Sequence, residues 1–348
     1  MGKISRKNWI LIWILGMTGQ ICWNIENSWF NTFVYDKIAP EPAIVSWMVG
    51  VSAAVSTFCT FLVGTWGDRK GKRKPFICIG YILWGIFTFI FGATEMIPKN
   101  PLFIAAACVV LADAVMSFFG SVGNDGGFGP WTTDISNEHN RGKLGGALAV
   151  MPVFATIFGA VVSGLIIDQI DFFAFFGLMG GLVAVVGVMA LFTLEDSPTL
   201  HPKRDEKGFW HQFLTVFNWE TVRGNKELFW VFLVMTVYFI GFNVYFPYIT
   251  IYFVNYLGYD YGMTGIIQGV GLLAAAVMTI PAARSIDKGK APQVIFTALL
   301  CNTAGLILVS LSQNLIILLA GVFGAGIGYI LVLQSLTAWM KNLYPEEQ

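Results

Sequence analysis

Charge is the scarcest property of this chain. Only 12% of its 348 residues are Asp, Glu, Lys or Arg, about half the share of an ordinary soluble domain. No Lys or Arg falls in the middle of an apolar run, so neither a voltage sensor nor an intramembrane anion-binding arginine is expected. The three histidines, His139, His201 and His211, sit in polar segments read as loops. None is placed to carry a proton through hydrocarbon. The five cysteines, Cys22, Cys59, Cys78, Cys108 and Cys301, lie in apolar segments without metal-ligand spacing and read as small buried side chains. No paired His-Asp motif, metal-ligand cluster, Walker loop or nucleophile elbow occurs, which argues against an enzyme with its own cofactor or metal. Nothing points to nucleic acid.

What is abundant is apolar length. The chain is 56% hydrophobic with a mean hydropathy of +0.67. Its apolar runs are long enough to cross a core of about 30 Å at 1.5 Å per residue, and in hydrocarbon such runs must be helices that satisfy their own backbone. Ten are expected, near 9–34, 44–66, 76–97, 101–123, 144–167, 172–193, 228–256, 262–283, 293–311 and 314–338. The fourth is expected to leave the membrane irregularly towards Asp134 through Gly126, Gly127, Gly129 and Pro130. The basic start of the chain imitates a signal peptide. No small-residue cleavage site follows, so the first run reads as an uncleaved helix.

Placing the N-terminus in the cytoplasm puts 19 of the 21 Lys and Arg on the inner side, leaving Lys37 and Lys99 outside, the bias expected of a multi-pass protein of the cell membrane. Residues 1–193 then form a six-helix bundle, 194–227 a cytoplasmic linker and 228–348 a second bundle. In the linker Phe209, Trp210, Phe213 and Phe217 suggest a short surface helix.

The segment Gly64-Thr-Trp-Gly-Asp68-Arg69-Lys-Gly71-Lys72-Arg73-Lys74-Pro75 joins the second and third runs. A reduced copy, with Asp287, Lys288, Gly289 and Lys290, follows the eighth. A shift of 219 residues superposes Trp23-Asn24 on Phe242-Asn243, Gly50-Val51 on Gly269-Val270, and Asp68 on Asp287. Such parallel repeats are a transporter architecture with the site between the halves near mid-membrane. After the tenth run the copy stops before counterparts of Arg141-Gly142 and of the fifth and sixth runs, so the C-terminal half is expected to be incomplete.

The basic segment resembles the signature loop of the major facilitator superfamily, G-x-x-x-D-R-x-G-[RK]-[RK], filled at every position by Gly64, Asp68, Arg69, Gly71, Lys72 and Arg73. The resemblance implies an all-α bundle of two pseudo-repeated halves and a gating set. In it Gly64 allows close helix approach, Asp68 meets an arginine and a helix N-terminus of the second half, and Arg69 pairs with a carboxylate of its own half. Gly71 permits the tight turn. Arg73, Asp287 and Arg141 complete that set. A long fourth helix followed by Trp-Thr-Thr-Asp134-Ile also looks like the glycoside–pentoside–hexuronide cation symporters. The helix-two acids of that branch are absent here.

Three acids mark a candidate site. Glu26 and Asp113 lie inside apolar runs and Asp125 at the inner edge of the fourth. A carboxylate at such depth is costly unless paired, hydrated or protonated. Asp113, Ser117, Ser121 and Asn124 follow i, i+4, i+8 and i+11, one stripe of a helix. Gln20, Asn24, Asn27 and Asn31 make a second stripe beside Trp23, with amides suited to hydroxyl-rich ligands and a ring on which a sugar can stack. Glu26 lies off its centre. Asn243, with Tyr245, Pro247 and Tyr248, occupies the matching place in the second half.

The leading reading is a monomeric secondary transporter of a small polar solute, a sugar or glycoside, working by alternating access and coupled to a proton or sodium gradient. An exporter of amphiphilic, drug-like compounds and a non-transporting sensor of the same fold stay open at this point.

Overall fold

A computed structural model describes residues 4–137, 140–198, 200–202, 208–215, 224 and 226–343. Among them the regular structure is helical throughout. Helix α1 (6–38) starts where the Ser5 hydroxyl accepts from the Asn8 amide at 3.1 Å, an N-cap that satisfies a free donor. It is α-helical over Arg6–Ile25 and π-helical over Glu26–Phe30 and Val34–Ile38. Helix α2 (Pro42–Lys70) has proline in its first turn, where no amide is needed, and ends at Gly71 with φ 63°, a left-handed cap that glycine takes without cost. Helix α3 (Lys74–Met96) and helix α4 (Leu102–Asp134) follow.

Helix α4 bears out the expected irregular exit. It does not stop at Gly123 but continues as a π-helix over Ser121–Phe128 and a last α-helical stretch over Gly129–Asp134. Helices α5 (141–170) and α6 (172–193) meet at a kink at Asp171, whose carboxylate accepts from the Ala174 amide at 3.1 Å and so caps α6. A short helix, α7 (Phe209–Thr215), comes next. Helix α8 (Lys226–Tyr256) is broken at Pro247, where Phe246–Tyr248 forms a 3-10 turn. Asp260 caps α9 (Tyr261–Asp287) by accepting from Met263 N. Helices α10 (Ala291–Leu311) and α11 (Leu315–Leu343) complete the order.

Eight helical stretches among the described residues are long and apolar enough to cross a membrane, where the sequence led us to expect ten. The difference has two physical sources. Helix α1 is diluted by Gln20, Asn24, Glu26, Asn27 and Asn31, and α5 and α6 run on as one helical stretch through their kink.

The chain divides into two compact units, Met1–Ala155 with Ile166–Phe217, and Thr156–Leu165 with Asn218–Gln348. Of the expected linker, 199, 203–207, 216–223 (Phe217 among them) and 225 lie outside the described residues. In the first unit, Phe30 stacks on Phe91 at 4.1 Å between ring centres, and Phe33, Phe172 and Phe176 close around them edge-on. This knot ties α1, α3 and α6 together. Helices α3 and α6 touch backbone to backbone: a Cβ on Gly85 would collide with the Gly180 carbonyl. Such small-residue contacts are what holds helices together in lipid, where hydrophobicity gives no drive. In the second unit, Val231, Ile295, Ala298, Leu331, Val332 and Leu336 form one buried cluster, and Phe253, Ile267, Val309, Leu318 and Val322 another. Both units expose large apolar side chains, such as Phe103, Phe192, Val237 and Ile316. That is the surface a bilayer covers.

Candidate functional site

The fourth-helix stripe is a single buried face. Asp113 is 1% exposed, while Leu111, two residues away, is 63% exposed. Ser117, Ser121 and Asn124 are buried with Asp113. Burial here is selective, because α4 turns one flank to lipid and the other to α1, α2 and α3.

The expected acids come together in part. Ser117 Oγ donates to Glu26 Oε1 at 2.9 Å, so Glu26 faces α4 even though it lies off the centre of the amide stripe. Asp113 is within electrostatic reach of Glu26 and within hydrogen-bonding reach of Ser52 on α2. Asp125 is fully satisfied by its own helix: Ser121 Oγ donates at 3.0 Å and Asn124 Nδ2 at 2.9 Å. Glu26 and Asp113 are not, since Glu26 Oε2 and Asp113 Oδ1 are buried without a hydrogen-bond partner. Buried acceptors of that kind are rare and costly.

Around these acids the helices pack closely. The Tyr81 hydroxyl, on α3, lies 2.8 Å from the Leu15 carbonyl and 3.2 Å from Asn124 Oδ1, joining α1, α3 and α4. Sequence reasoning passed over Tyr81, which sits in an apolar run with no polar neighbour at helical spacing. Trp23 packs against Trp84, with ring centres 5.0 Å apart. Asn27 is exposed and donates to its own Trp23 carbonyl at 2.7 Å, and Asn31 donates to Asn27 O at 3.2 Å. Both keep an amide oxygen for other use. The Asn24 amide oxygen is buried without a partner. Asn243, in the other unit, is exposed and donates to Phe239 O at 2.8 Å.

The basic loop builds a second cluster at the ends of α2, α4 and α6. Its centre is Arg73, whose side chain is 5% exposed. The guanidinium pairs with Asp68, donates from Nε to Asp134 Oδ2 at 3.0 Å, and reaches the Gly64 carbonyl at 3.4 Å. A planar fork with five donors fits such a set of converging acceptors. Asp196, just past α6, accepts the backbone amides of Arg73 and Lys74 at 2.7 and 2.8 Å, so a distant residue caps α3. Ser197 Oγ donates to Asp134 O at 2.9 Å, and Trp131 Nε1 to Glu195 O at 2.9 Å. On the rim Lys7 meets Glu195 at 2.6 Å. That contact holds the exposed Glu195 carboxyl below its usual range, through the hydrogen bond first and the lysine charge second.

Within the first unit the loop residues make a defined set of contacts. Asp68 has its partner five residues on, in Arg73, because the left-handed turn at Gly71 folds the loop back over the end of α2. The bridge between carboxylates is made by Arg73, while the Arg69 guanidinium lies over the Phe209 ring at 5.8 Å. The close approach belongs to Gly67, where a Cβ would collide with the Arg73 guanidinium, whereas a Cβ on Gly64 would meet nothing within 4 Å. Gly71 takes the turn role expected of it. Arg141 is exposed on the first turn of α5, and the Asp287 side chain lies outside the described residues.

Two helical units with lipid-suited exteriors, one holding unpaired acids in its interior, define a multi-pass membrane protein of the transporter class. The sequence profile of the Major Facilitator Superfamily matches residues 9–348, and the chain belongs to that family. Against curated protein sequences it finds no match. Among solved structures it is similar to the nucleoside transporter NupG, with a TM-score of 0.72 at 12% identity over 96% of this chain and 87% of that one. It is also similar to a D-xylose–proton symporter, with a TM-score of 0.57 at 17% identity over 96% and 88%. A bacterial homologue of the human lysosomal transporter Spinster, in an inward-facing and unoccupied conformation, gives 0.65 at 15% identity over 98% and 79%. At such identities the likeness is one of fold.

Proposed function

We propose that this protein is a secondary active transporter of the cell membrane, N-terminus cytoplasmic, that moves a small polar solute by alternating access on a cation gradient. The observation that carries the reading is Asp113: a carboxyl in mid-helix, 1% exposed, with an oxygen left without a partner. A protein keeps such a group in hydrocarbon when its charge is used. The amide oxygens of Asn24, Asn27 and Asn31 and the ring of Trp23 lie on the same helix as Glu26. Together they suit a solute rich in hydroxyls, and a sugar or glycoside is the class we favour. The fold neighbours include a nucleoside transporter and a D-xylose–proton symporter, which is compatible with polar, ring-shaped cargo. The Arg73 cluster serves as a latch at the cytoplasmic ends of the helices, with Asp68, Asp134 and Asp196 as its acceptors.

Proteoliposomes holding the purified chain test this reading. Radiolabelled sugars, glycosides and nucleosides are offered under an imposed proton gradient, an imposed sodium gradient, or neither. The expected result is accumulation of one class above equilibrium under one gradient. Downhill equilibration alone, or export of amphiphilic dyes with no polar solute moved, would reject it.

A further inference from the structure

The two orphaned acceptors of the first unit point to a ligand. We propose that Glu26 and Asp113, with Ser52 and Ser117, form a binding site for one sodium ion between α1, α2 and α4. This rests on the transport reading above and names the coupling ion and its ligands.

The site is built from acceptors. It offers two carboxylates and two hydroxyl oxygens, and Ser117 already donates across helices to Glu26 at 2.9 Å. Neither carboxylate has a lysine or arginine as an ion-pair partner among the described residues. The other titratable groups that act on Glu26 are Asp125 and Cys22, and neither brings positive charge. Asp125 cannot be the missing partner, since both its oxygens already accept within α4. Asp113 is the more deeply buried of the two acids, 1% exposed, with Oδ1 facing no donor.

The choice of ion follows from the donor set. No group of three or more His, Cys, Asp or Glu side chains that could hold a metal exists among the described residues, which leaves too little charge for a divalent cage. A proton held by either acid, or shared between the two, leaves the hydroxyl lone pairs unused. Here the unfilled oxygens belong to two side chains on two helices, flanked by hydroxyls whose lone pairs also accept. A monovalent metal ion takes several such oxygens at once. Glu26 also opens the π-helical stretch Glu26–Phe30, directly between Asn24 and Asn27. An ion that draws Glu26 to α4 fixes the rotation of the amide-bearing segment, so ion and solute each raise the other's affinity, as linkage requires.

The test uses the full chain in lipid nanodiscs. Radiolabelled sodium binding and thermal unfolding are measured without solute, in sodium chloride against choline chloride at equal ionic strength, at one acidic and one alkaline pH. The expected result is saturable sodium binding and a sodium-dependent rise in Tm, both lost in Asp113→Asn and Glu26→Gln and kept in the surface control Glu195→Gln. Ser117→Ala keeps both acids and should weaken sodium about tenfold, roughly 1.4 kcal/mol; it decides the matter if an acid variant fails to fold. A Tm that follows pH alike in both salts, or sodium affinity unchanged in Ser117→Ala, overturns the site. Solute accumulation on a proton gradient with no sodium binding removes the site and leaves transport standing. Sodium binding without accumulation supports the site and removes the transport reading.

Discussion

The two units share a plan and differ in chemistry. Helix α2 begins at Pro42 and α9 at Tyr261, which keeps the 219-residue shift seen in the sequence, and the helix pairs end on left-handed glycines, Gly71 and Gly289. Both first helices of the units carry a late π-helical stretch, Val34–Ile38 and Tyr252–Tyr256. The first unit buries acids. The second, among its described side chains, buries none: Glu227 and Asp260 stand at helix starts. It buries neutral polar groups instead, with Gln268 donating to Thr250 at 3.0 Å and Asn302 to the Ala325 carbonyl at 3.0 Å, while Tyr245 lies within hydrogen-bonding reach of Asn302. A repeated backbone therefore does not carry a repeated charge. One unit buries carboxyl groups, the other uncharged hydrogen-bonding groups.

That division is open to attack by substitution. Asp113→Asn should abolish gradient-driven accumulation in vesicles while leaving membrane insertion intact, and unchanged accumulation would remove the ionic role of the first unit. Arg73→Ala leaves Asp68 and Asp134 facing each other without their cation, a change of the kind that costs about 3–5 kcal/mol. A collapse of Tm in detergent should show it, with partial recovery in Arg73→Lys. Gly85→Val forces α3 from Gly180 and should cost about 1–3 kcal/mol by overpacking, read from the same melts. Tyr245→Phe removes one neutral hydrogen bond in the second unit, about 1 kcal/mol. It should raise the KM for solute several-fold and spare the accumulation ratio. If it abolished accumulation as fully as Asp113→Asn, the contrast between units would fail. Lys7→Ala should leave the Tm at neutral pH unchanged, because its pair with Glu195 is exposed and screened. What little that pair contributes is present above the unfolded carboxyl range, near 4.3. It fades as the pH falls through the lower folded value, so melts in acid should match the parent at least as closely as those at neutral pH.

Local features were the legible ones. The stripe Asp113–Ser117–Ser121–Asn124 could be read from helical spacing, and so could the left-handed turn at Gly71, because each depends on neighbours in the chain. Glu26 was legible as an acid at depth but not as a neighbour of Ser117, 91 residues away. The π-helical stretches were hidden too, since they shift facing by one residue without any signal in composition. Asp134 and Asp196 could not be matched to Arg73 for the same reason: their partners lie 61 and 123 residues off, and other loop acids, such as Glu138 and Glu195, could have served. The resemblance supplied a role for the basic loop, but the pairing of Asp68 with Arg73 inside the loop itself was not part of it.

Asp196 also has a consequence in time. The amides of Arg73 and Lys74 open α3, yet the carboxylate that accepts them is synthesised more than a hundred residues later. A ribosome making this chain releases helices α1 to α6 before the first turn of α3 can be finished. Completion of that turn is thus a record that the tail of α6 has reached the same side of the membrane as the basic loop. The first unit is closed like a clasp, by the segment that follows its sixth helix, and only when its topology is right.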